Sequence, residues 1–185
     1  IRYKKEYNLI DFNDMILDFT KSDLSPKFDV VFIDEAQDLS LMQWDMARSI
    51  WKKTEDAFIA GDDDQAIFRW AGADVDSFIT LKGEYYPLKQ SYRIPAKVHN
   101  LAMNIINKIK NRIDKTWKPK INEGTLQRHF DVDSIDMTQG DWLVLSRTRY
   151  MLNDIEESLY RQGLYYVNRY KRTNEKDLQE CAVDW

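Results

Sequence analysis

Two short apolar runs in the first half of the chain are each followed by acidic residues. Residues 29–33 and 57–60 contain the continuous apolar stretches Val-Val-Phe-Ile and Ala-Phe-Ile-Ala, a pattern typical of parallel strands that are covered on both faces. The first run leads into Asp34 and Glu35, and the second leads into Gly61 and three aspartates. Because ligands bind at the carboxyl edge of the strands in open α/β sheets, we predict that both polar loops line one site.

Apolar residues at helical spacing predict helices around these strands. Ser40 and Gln43 fit a capping box that opens a helix ending near Trp51. Pro95 suits the first turn of a long helix, and Gly163 suits the end of a later one. The predicted helices cover about residues 13–19, 40–51, 74–81, 95–113 and 150–162, and further strands are predicted at 85–88, 142–146 and 164–167.

The last predicted strand, helix and strand form a β-α-β unit with parallel pairing and a right-handed crossover. Strands and helices thus alternate along the whole chain. The pattern predicts an α/β fold with a seam between two parts near residues 89–94.

The composition excludes several classes of protein. A single cysteine and two histidines exclude a disulfide scaffold and a Cys-rich zinc site, so a metal would be held by oxygen ligands, as Mg, Ca or Mn are. No apolar run approaches the roughly 20 residues that span a bilayer. The pattern G-x-x-x-x-G-K-S/T, which forms a phosphate-binding loop, does not occur in the sequence. Because the first residue is Ile1 and not a methionine, we expect the natural start of the protein to lie upstream of this sequence.

Charge is unevenly distributed along the chain, whose formal net charge is -4. Residues 11–64 carry 14 acidic and 5 basic side chains, whereas residues 89–120 carry 9 basic side chains and one acid. This asymmetry suggests that one part handles a cation and the other meets an anion. The alternative is that both parts are solvated surfaces.

The acid pair after the first strand has the chemistry of a phosphoryl-transfer site. Asp34 is placed to hold Mg²⁺, directly or through water, and Glu35 is placed to orient or deprotonate an attacking water. Gln37 and Asp38 follow, and a neutral amide beside the acids suits contact with a phosphate or a water. The alternative is that the acids cap the next helix and face solvent.

The loop after the second strand adds a further amide and two aromatic rings. Gln65 is within reach of a terminal phosphate, and Phe68 and Trp70 offer stacking faces of the kind that hold single-stranded nucleic acid. The alternative for the aromatic pair is core packing. For the aspartates at 62–64, the alternative is a cluster that caps the N-terminus of a helix. Their spacing excludes an EF-hand calcium site.

In their order, these segments resemble the UvrD/Rep-type superfamily 1 DNA helicases. Residues 34–38 are similar to motif II of that family, residues 61–68 with Trp70 and 72–73 to motif III, and residues 88–93 to motif IV. Residues 11–16 resemble the acidic-aromatic segment before motif II, and residues 143–148 and 153–163 resemble the start of the second RecA-like domain.

The resemblance implies an ATP site that uses Mg²⁺. In such a site Asp34 binds Mg²⁺, Glu35 activates the hydrolytic water, and Gln37 and Gln65 sense the γ-phosphate, with Asp38 beside the nucleotide. Tyr92 would stack on the adenine, and Arg93 would act as an arginine finger on the charge that develops during transfer.

The resemblance also implies DNA contacts, with single-stranded or partly duplex DNA as the partner. The residues it assigns to DNA are Phe68, Arg69, Trp70, Arg147, Thr148 and Arg149. It implies portions of two RecA-like lobes, residues 1–90 and 91–185, in a cytoplasmic protein without a membrane segment. Residues 115–118 (Lys-Thr-Trp-Lys) look like a family segment, but we interpret them as a solvated basic loop anchored by Trp117.

Several positions depart from the family pattern. Ala71 stands where an arginine is usual, so a DNA or interdomain contact has moved or is lost. The other departures are Phe68 for the usual tyrosine, Arg69 for a small residue, Ser91 and Ile94 around Tyr92 and Arg93, and Arg149 for asparagine.

The sequence is therefore consistent with three functions. The first is a segment of an ATP-driven DNA helicase or translocase. The second, favoured by the missing phosphate-binding loop, is a module that binds DNA or a partner without hydrolysis. The third is a metal hydrolase that uses Asp34, Glu35 and the aspartates at 62–64.

Overall fold

In the computed structural model, which describes residues 2–22 and 24–168, the first two predicted strands form a parallel pair. Strand β1 (Val30–Ile33) lies in register with β2 (Asp56–Ile59). The ladder continues past both strands: Ala60 N donates to Ile33 O at 2.7 Å, and Ala36 N donates to Ala60 O at 3.0 Å. The α/β class is confirmed, and the carboxyl ends of the two strands lie side by side.

Both strands keep exposed side chains, with Phe32 76% and Phe58 55% exposed, so the prediction that the strands are covered on both faces is wrong for the described residues. Six α-helices lie in the described part of the chain. They are α1 (Arg2–Tyr7), α2 (Phe12–Ser22), α3 (Leu41–Trp51), α4 (Val75–Ile79), α5 (Ala96–Ile106) and α6 (Met151–Arg161), and short 3₁₀ turns lie at Ala36–Asp38, Asp63–Gln65, Arg69–Ala71 and Val132–Ser134. The predicted capping box is confirmed, since Gln43 N donates to the Ser40 hydroxyl and Ser40 N donates to the Gln43 side chain at 2.8 Å. Gly163, with φ of 68°, follows the end of α6 as predicted.

The core beneath the site is centred on Trp44 of α3. Its ring is fully buried, and its Nε1 donates to Asp74 O at 3.1 Å, just before α4. The Trp51 ring packs edge-on against Trp44, with 6.2 Å between the ring centroids. Ala36, in the turn after β1, and Val75, in α4, are also buried. The turn after β1 is therefore packed on its inner side.

The chain divides into two compact units, one of residues 1–125 and one that begins at Leu126. The second contains the 3₁₀ turn at 132–134 and α6, which are joined because Asp133 accepts hydrogen bonds from Ser158 and Arg161. The assignment of residues 1–90 and 91–185 to two RecA-like lobes stays a prediction.

Three predicted strands are not formed. Residues 85–88, 142–146 and 164–167 are extended or irregular, and no strand pairs with them within the described residues. A strand needs a hydrogen-bonded neighbour, and an apolar run alone does not supply one. The β-α-β unit predicted around α6 is therefore wrong for the described part of the chain.

The long helix predicted to reach Ile113 is also wrong in its length, since α5 ends at Ile106. The residues that follow are rich in asparagine, which favours helix ends. Ile113 then donates its backbone N–H to the Asp63 carboxylate at 2.7 Å instead of to a helical carbonyl. The helix predicted at 74–81 is shortened to Val75–Ile79. None of the helices in the described residues has the length and apolar character to cross a membrane.

Candidate nucleotide and DNA site

Asp34 and Glu35 lie at the carboxyl end of β1, and both side chains are exposed. Glu35 N donates to Asp34 Oδ1 at 2.9 Å. Glu35 itself adopts a left-handed backbone, with φ of 51° and ψ of 38°. This conformation costs a non-glycine residue on the order of 1–3 kcal/mol and is concentrated at functional sites. The turn places two carboxylates at the open edge of the sheet, a donor set that fits Mg²⁺.

Gln37 joins the two strand ends through its side-chain amide. It is 1% exposed. Its Nε2 donates to Glu35 Oε2 at 2.8 Å, and its Oε1 accepts from Asp62 N at 3.0 Å. Both ends of the amide are therefore engaged within the protein, and the residue fixes the Glu35 carboxylate relative to the loop after β2.

The close approach at this point explains Gly61. A Cβ atom at Gly61 would lie 2.7 Å from Gln37 Oε1 and 3.0 Å from the Phe78 ring. Any larger residue would displace the buried amide, so a glycine is required for packing rather than for an unusual φ.

Gln65 stands on the same loop and is exposed. Its Nε2 donates to Asp62 Oδ2 at 2.6 Å, while the other Asp62 oxygen accepts from Asp64 N at 3.2 Å. Asp62 thus orients Gln65 from one side and is itself held by Gln37 from the other. The predicted residues 34, 35, 37, 62 and 65 are brought together at one edge.

The neighbouring aspartates form an ionic cluster with a distant segment. Arg112 makes a bidentate contact with Asp64, at 2.8 and 2.7 Å. Lys115 Nζ lies 3.1 Å from Asp62 and 2.9 Å from Asp64, and it donates a further hydrogen bond to Asp63. The cluster is largely buried, with side-chain exposures of 2% for Asp63, 4% for Asp64 and 14% for each cation.

Within the cluster, the pKa values of Asp64, Arg112 and Lys115 are shifted in the direction that favours the charged form. Burial raises the pKa of Asp64, but hydrogen bonds from Arg112 and Lys115 outweigh it and hold that pKa below its ordinary value. Burial lowers the pKa of Lys115, but hydrogen bonds to the three aspartates raise it above the ordinary lysine value. The hydrogen bond to Asp64 also raises the pKa of Arg112.

The interpretation of residues 115–118 as a solvated basic loop is wrong for Lys115, because its side chain lies within the cluster. Trp117 does anchor the segment, with its ring edge-on to His99 of α5 at 4.2 Å between centroids. Sequence reasoning missed Arg112 and Lys115 as members of the site. The opposite charges of residues 11–64 and 89–120 were the one signal that pointed to their pairing.

The aromatic residues of the second loop are open to solvent. Trp70 is 83% exposed and Phe68 is also exposed, so neither is a core residue. Arg69 makes a 3.2 Å ion pair with Asp76, which also accepts from Asn111 at 2.6 Å. The core-packing alternative is therefore wrong for both rings, and their faces are available for stacking.

Asp38 and Phe68 line an open cavity of about 670 Å³. Asp38 Oδ1 is buried and has no hydrogen-bond partner among the described residues. Ala71, the position where the family usually has arginine, also lines this cavity. Groups of three or more histidine, cysteine or carboxylate side chains that could hold a metal do not occur in the described ranges.

The loop of residues 88–94 presents Tyr92 and Arg93 to solvent, with Tyr92 87% exposed. The Ser91 hydroxyl accepts from Arg93 N at 3.3 Å and from Ile94 N at 3.0 Å. The loop is also paired with a later segment, since Ser91 N donates to Lys118 O and Lys118 N donates to Lys89 O, both at 2.8 Å.

The three remaining predicted DNA contacts lie in the second compact unit, immediately before α6. Arg147 and Arg149 are exposed, and Thr148 is half-buried. Thr148 O accepts from Ser146 Oγ at 2.8 Å and from Met151 N at 3.2 Å. The turn that carries these side chains is therefore ordered by its own backbone.

Comparison with known proteins decides the family. Residues 1–86 match the UvrD/REP helicase N-terminal domain. The chain belongs to the UvrD/Rep helicase family. The family domain is RecA-like, and within it lie both strands, the Asp34–Glu35 turn and the loop that carries Gln65 and Trp70.

Relatives named as DNA helicases cover more of the chain. The ATP-dependent DNA helicase PcrA of Bacillus subtilis (strain 168) is 25% identical over 91% of this chain. DNA helicase II of Haemophilus influenzae is 30% identical over 86%, and a probable DNA helicase II homolog of Rickettsia conorii is 32% identical over 62%. The chain spans 28%, 22% and 20% of the lengths of these three proteins.

Proposed function

We propose that this chain is the part of an ATP-dependent DNA helicase or translocase that couples ATP hydrolysis to movement on single-stranded DNA. One observation carries the proposal. The exposed Asp34–Glu35 pair is tied through the buried Gln37 amide to the loop of Asp62 and Gln65. A hydrolytic acid pair is thereby linked to a loop that also exposes Trp70.

The acid pair supplies the hydrolytic chemistry. Asp34, with a carboxylate at the sheet edge, would hold Mg²⁺, which neutralises the phosphate charge when bound. Glu35 accepts the proton of the attacking water. Because Gln37 donates to one Glu35 oxygen at 2.8 Å, the carboxylate is already oriented before nucleotide binds, and less entropy is lost on reaching the reactive geometry.

The remaining nucleotide contacts come from two loops. Gln65, oriented by Asp62, contacts the terminal phosphate, and Asp38 is a further proposed contact to the nucleotide. Tyr92 stacks on the adenine, and Arg93 stabilises charge on the transferred phosphoryl group. Both of these side chains are exposed and unhindered by the serine-capped turn beneath them.

DNA binds through exposed rings and cations. Trp70 and Phe68 stack on bases without reading sequence. Arg69 lies between them, and Arg147, Thr148 and Arg149 contact phosphates, which carry no sequence information. The cytoplasm is the proposed location of this activity.

The test is the ATPase activity of the full-length protein that contains this sequence, with and without single-stranded DNA. Glu35→Gln should lower kcat by at least about 100-fold, because general-base catalysis contributes roughly 10²–10⁴-fold. Glu55→Gln is the matched control, since Glu55 is exposed and lies outside the site.

DNA-stimulated ATP hydrolysis that depends on Glu35 but not on Glu55 supports the proposal. Absence of ATP hydrolysis in the unmodified full-length protein would reject it and favour the non-hydrolytic binding module. The metal hydrolase is disfavoured by the structure, because Asp63 and Asp64 are paired with Arg112 and Lys115.

The 185-residue chain itself is proposed to be inactive in hydrolysis. Its sequence has no G-x-x-x-x-G-K-S/T loop to bind the phosphates. DNA-stimulated turnover by the purified chain would contradict this. Binding of single-stranded DNA without turnover would agree with it.

A further inference from the structure

The segment of residues 112–120 contacts both loops that carry the proposed ATP chemistry. At its start, Arg112 and Lys115 neutralise the aspartates of the loop after β2. At its end, Lys118 exchanges backbone hydrogen bonds with Lys89 and Ser91, both at 2.8 Å. All of these contacts lie within one compact unit.

The first set of contacts leads directly to the acid pair. Lys115 Nζ lies 3.1 Å from Asp62 Oδ1, and the other Asp62 oxygen accepts from Gln65 at 2.6 Å. Asp62 N in turn donates to Gln37, which donates to Glu35. Hydrogen bonds and one ion pair therefore connect Lys115 to Glu35 through Asp62 and Gln37.

The second set leads to the other loop. Lys120 N donates to Ile94 O at 2.9 Å, and Ser91, whose N–H donates to Lys118 O, accepts from Arg93 and Ile94 through its hydroxyl. The position of the Tyr92–Arg93 turn is therefore fixed against the same segment that holds the loop of Gln65.

We propose that residues 112–120 are a positioning segment that fixes the Gln65 loop and the Tyr92–Arg93 loop relative to each other, with Lys115 and Arg112 as positioning residues for ATP hydrolysis. The proposal rests on the proposed function. Its physical basis is that a buried, multiply paired cation leaves its partners one low-energy arrangement, whereas single surface pairs constrain little.

The test uses the full-length protein and the variant Lys115→Met. Lys118→Met is the matched control, because the Lys118 side chain is exposed and only its backbone makes the pairing. Arg112→Lys is a milder variant that keeps the charge and loses the bidentate geometry. Circular dichroism gives the folded fraction of each.

We expect kcat per folded molecule to fall in Lys115→Met by about 10- to 100-fold, since misplacement by about 1 Å can cost that much. The KM for ATP should change little. Lys115→Arg should restore part of kcat. A uniform loss of folded protein with normal kcat per folded molecule would mean that the segment is only structural and would overturn the proposal.

Hydrogen exchange gives a second readout that does not depend on ATP turnover. Lys115→Met should raise amide exchange in residues 61–66 and also in residues 89–94, while Lys118→Met should raise neither. A rise confined to residues 61–66 would show that the two loops are not positioned together and would overturn the proposal.

These outcomes distinguish failure of the proposed function from failure of the positioning segment. If the unmodified protein shows no DNA-stimulated ATPase activity, the proposed function fails, and with it the role of Lys115 in catalysis. If the unmodified protein is active and Lys115→Met has unchanged kcat, only the positioning segment is rejected.

Discussion

Two acidic turns lie side by side at the same edge of the sheet but differ in solvent exposure and in ion pairing. Asp34 and Glu35, after β1, are exposed and carry no ion pair in the described structure. Asp63 and Asp64, after β2, are buried and paired with Arg112 and Lys115. Acidic residues at a strand end therefore do not define one role. The cations that reach them decide whether they stay open for the proposed chemistry or hold the fold.

The left-handed backbone of Glu35 fits this contrast. The turn after β1 keeps an unfavourable φ of 51° while leaving its carboxylates open, so stability is sacrificed where chemistry is proposed. The turn after β2 gains stability from the ionic cluster. We call the exposed turn after β1 the open turn and the ion-paired turn after β2 the closed turn. Gln37 joins them, because its side chain hydrogen-bonds to Glu35 in the open turn and to Asp62 in the closed turn.

The sharpest way to break the contrast is to remove the cation from the closed turn. Lys115→Met should lower the free energy of unfolding by about 3 kcal/mol, because an unpaired buried charge costs roughly 3–5 kcal/mol and Arg112 still pairs with Asp64. Urea denaturation followed by circular dichroism measures it. A change as small as that of Lys118→Met would contradict the view that the cluster holds the fold.

Removing the link between the turns should have the next largest effect. Gln37→Ala leaves the Asp62 N–H without its acceptor and Glu35 without its donor, at a cost of about 1–3 kcal/mol. The same denaturation experiment applies. Gln127→Ala is the control, since Gln127 is exposed in the second unit, and an equal loss in both variants would argue against the link.

Extremes of pH should weaken the closed turn, with a smaller effect than these substitutions. The pKa of Asp64 is lowered on folding, so its contribution is complete above the unfolded value near 3.8 and is lost as pH falls through the folded value. The pKa of Lys115 is raised on folding, so its contribution is complete below 10.5 and is lost as pH rises through the folded value.

The measurement is the difference in unfolding free energy between the unmodified chain and Lys115→Met across pH. We expect it to be constant near neutrality and to decrease at both ends of the range. A difference that already declines between about pH 6 and pH 8 would be inconsistent with groups whose ordinary pKa values lie near 4 and 10.

The smallest stability effects should come from the open turn and its exposed ring. Asp34→Asn and Trp70→Ala should each change the free energy of unfolding by less than about 0.5 kcal/mol, as surface substitutions usually do. Trp70→Ala should nevertheless weaken binding of single-stranded DNA by about 1–3 kcal/mol. Fluorescence anisotropy with a labelled oligonucleotide measures this, and Trp142→Ala provides the comparison.

The sequence by itself determined the local elements and the order of the motifs. The apolar runs of β1 and β2, the Ser40 capping box and the stop at Gly163 are local signals, because they depend on neighbouring residues and on backbone preferences. The acid pair and the exposed aromatic loop were predictable for the same reason, and their order along the chain indicated the family.

Only the tertiary structure decided which charges meet. Lys115 lies 52 residues after Asp63 along the chain, and no periodic pattern encodes a pairing over that distance. The same holds for Gln37, whose amide could have faced a ligand but is held between two strand ends. The strands predicted at 85–88, 142–146 and 164–167 fail for a related reason, since strand formation depends on a partner supplied from elsewhere in the fold.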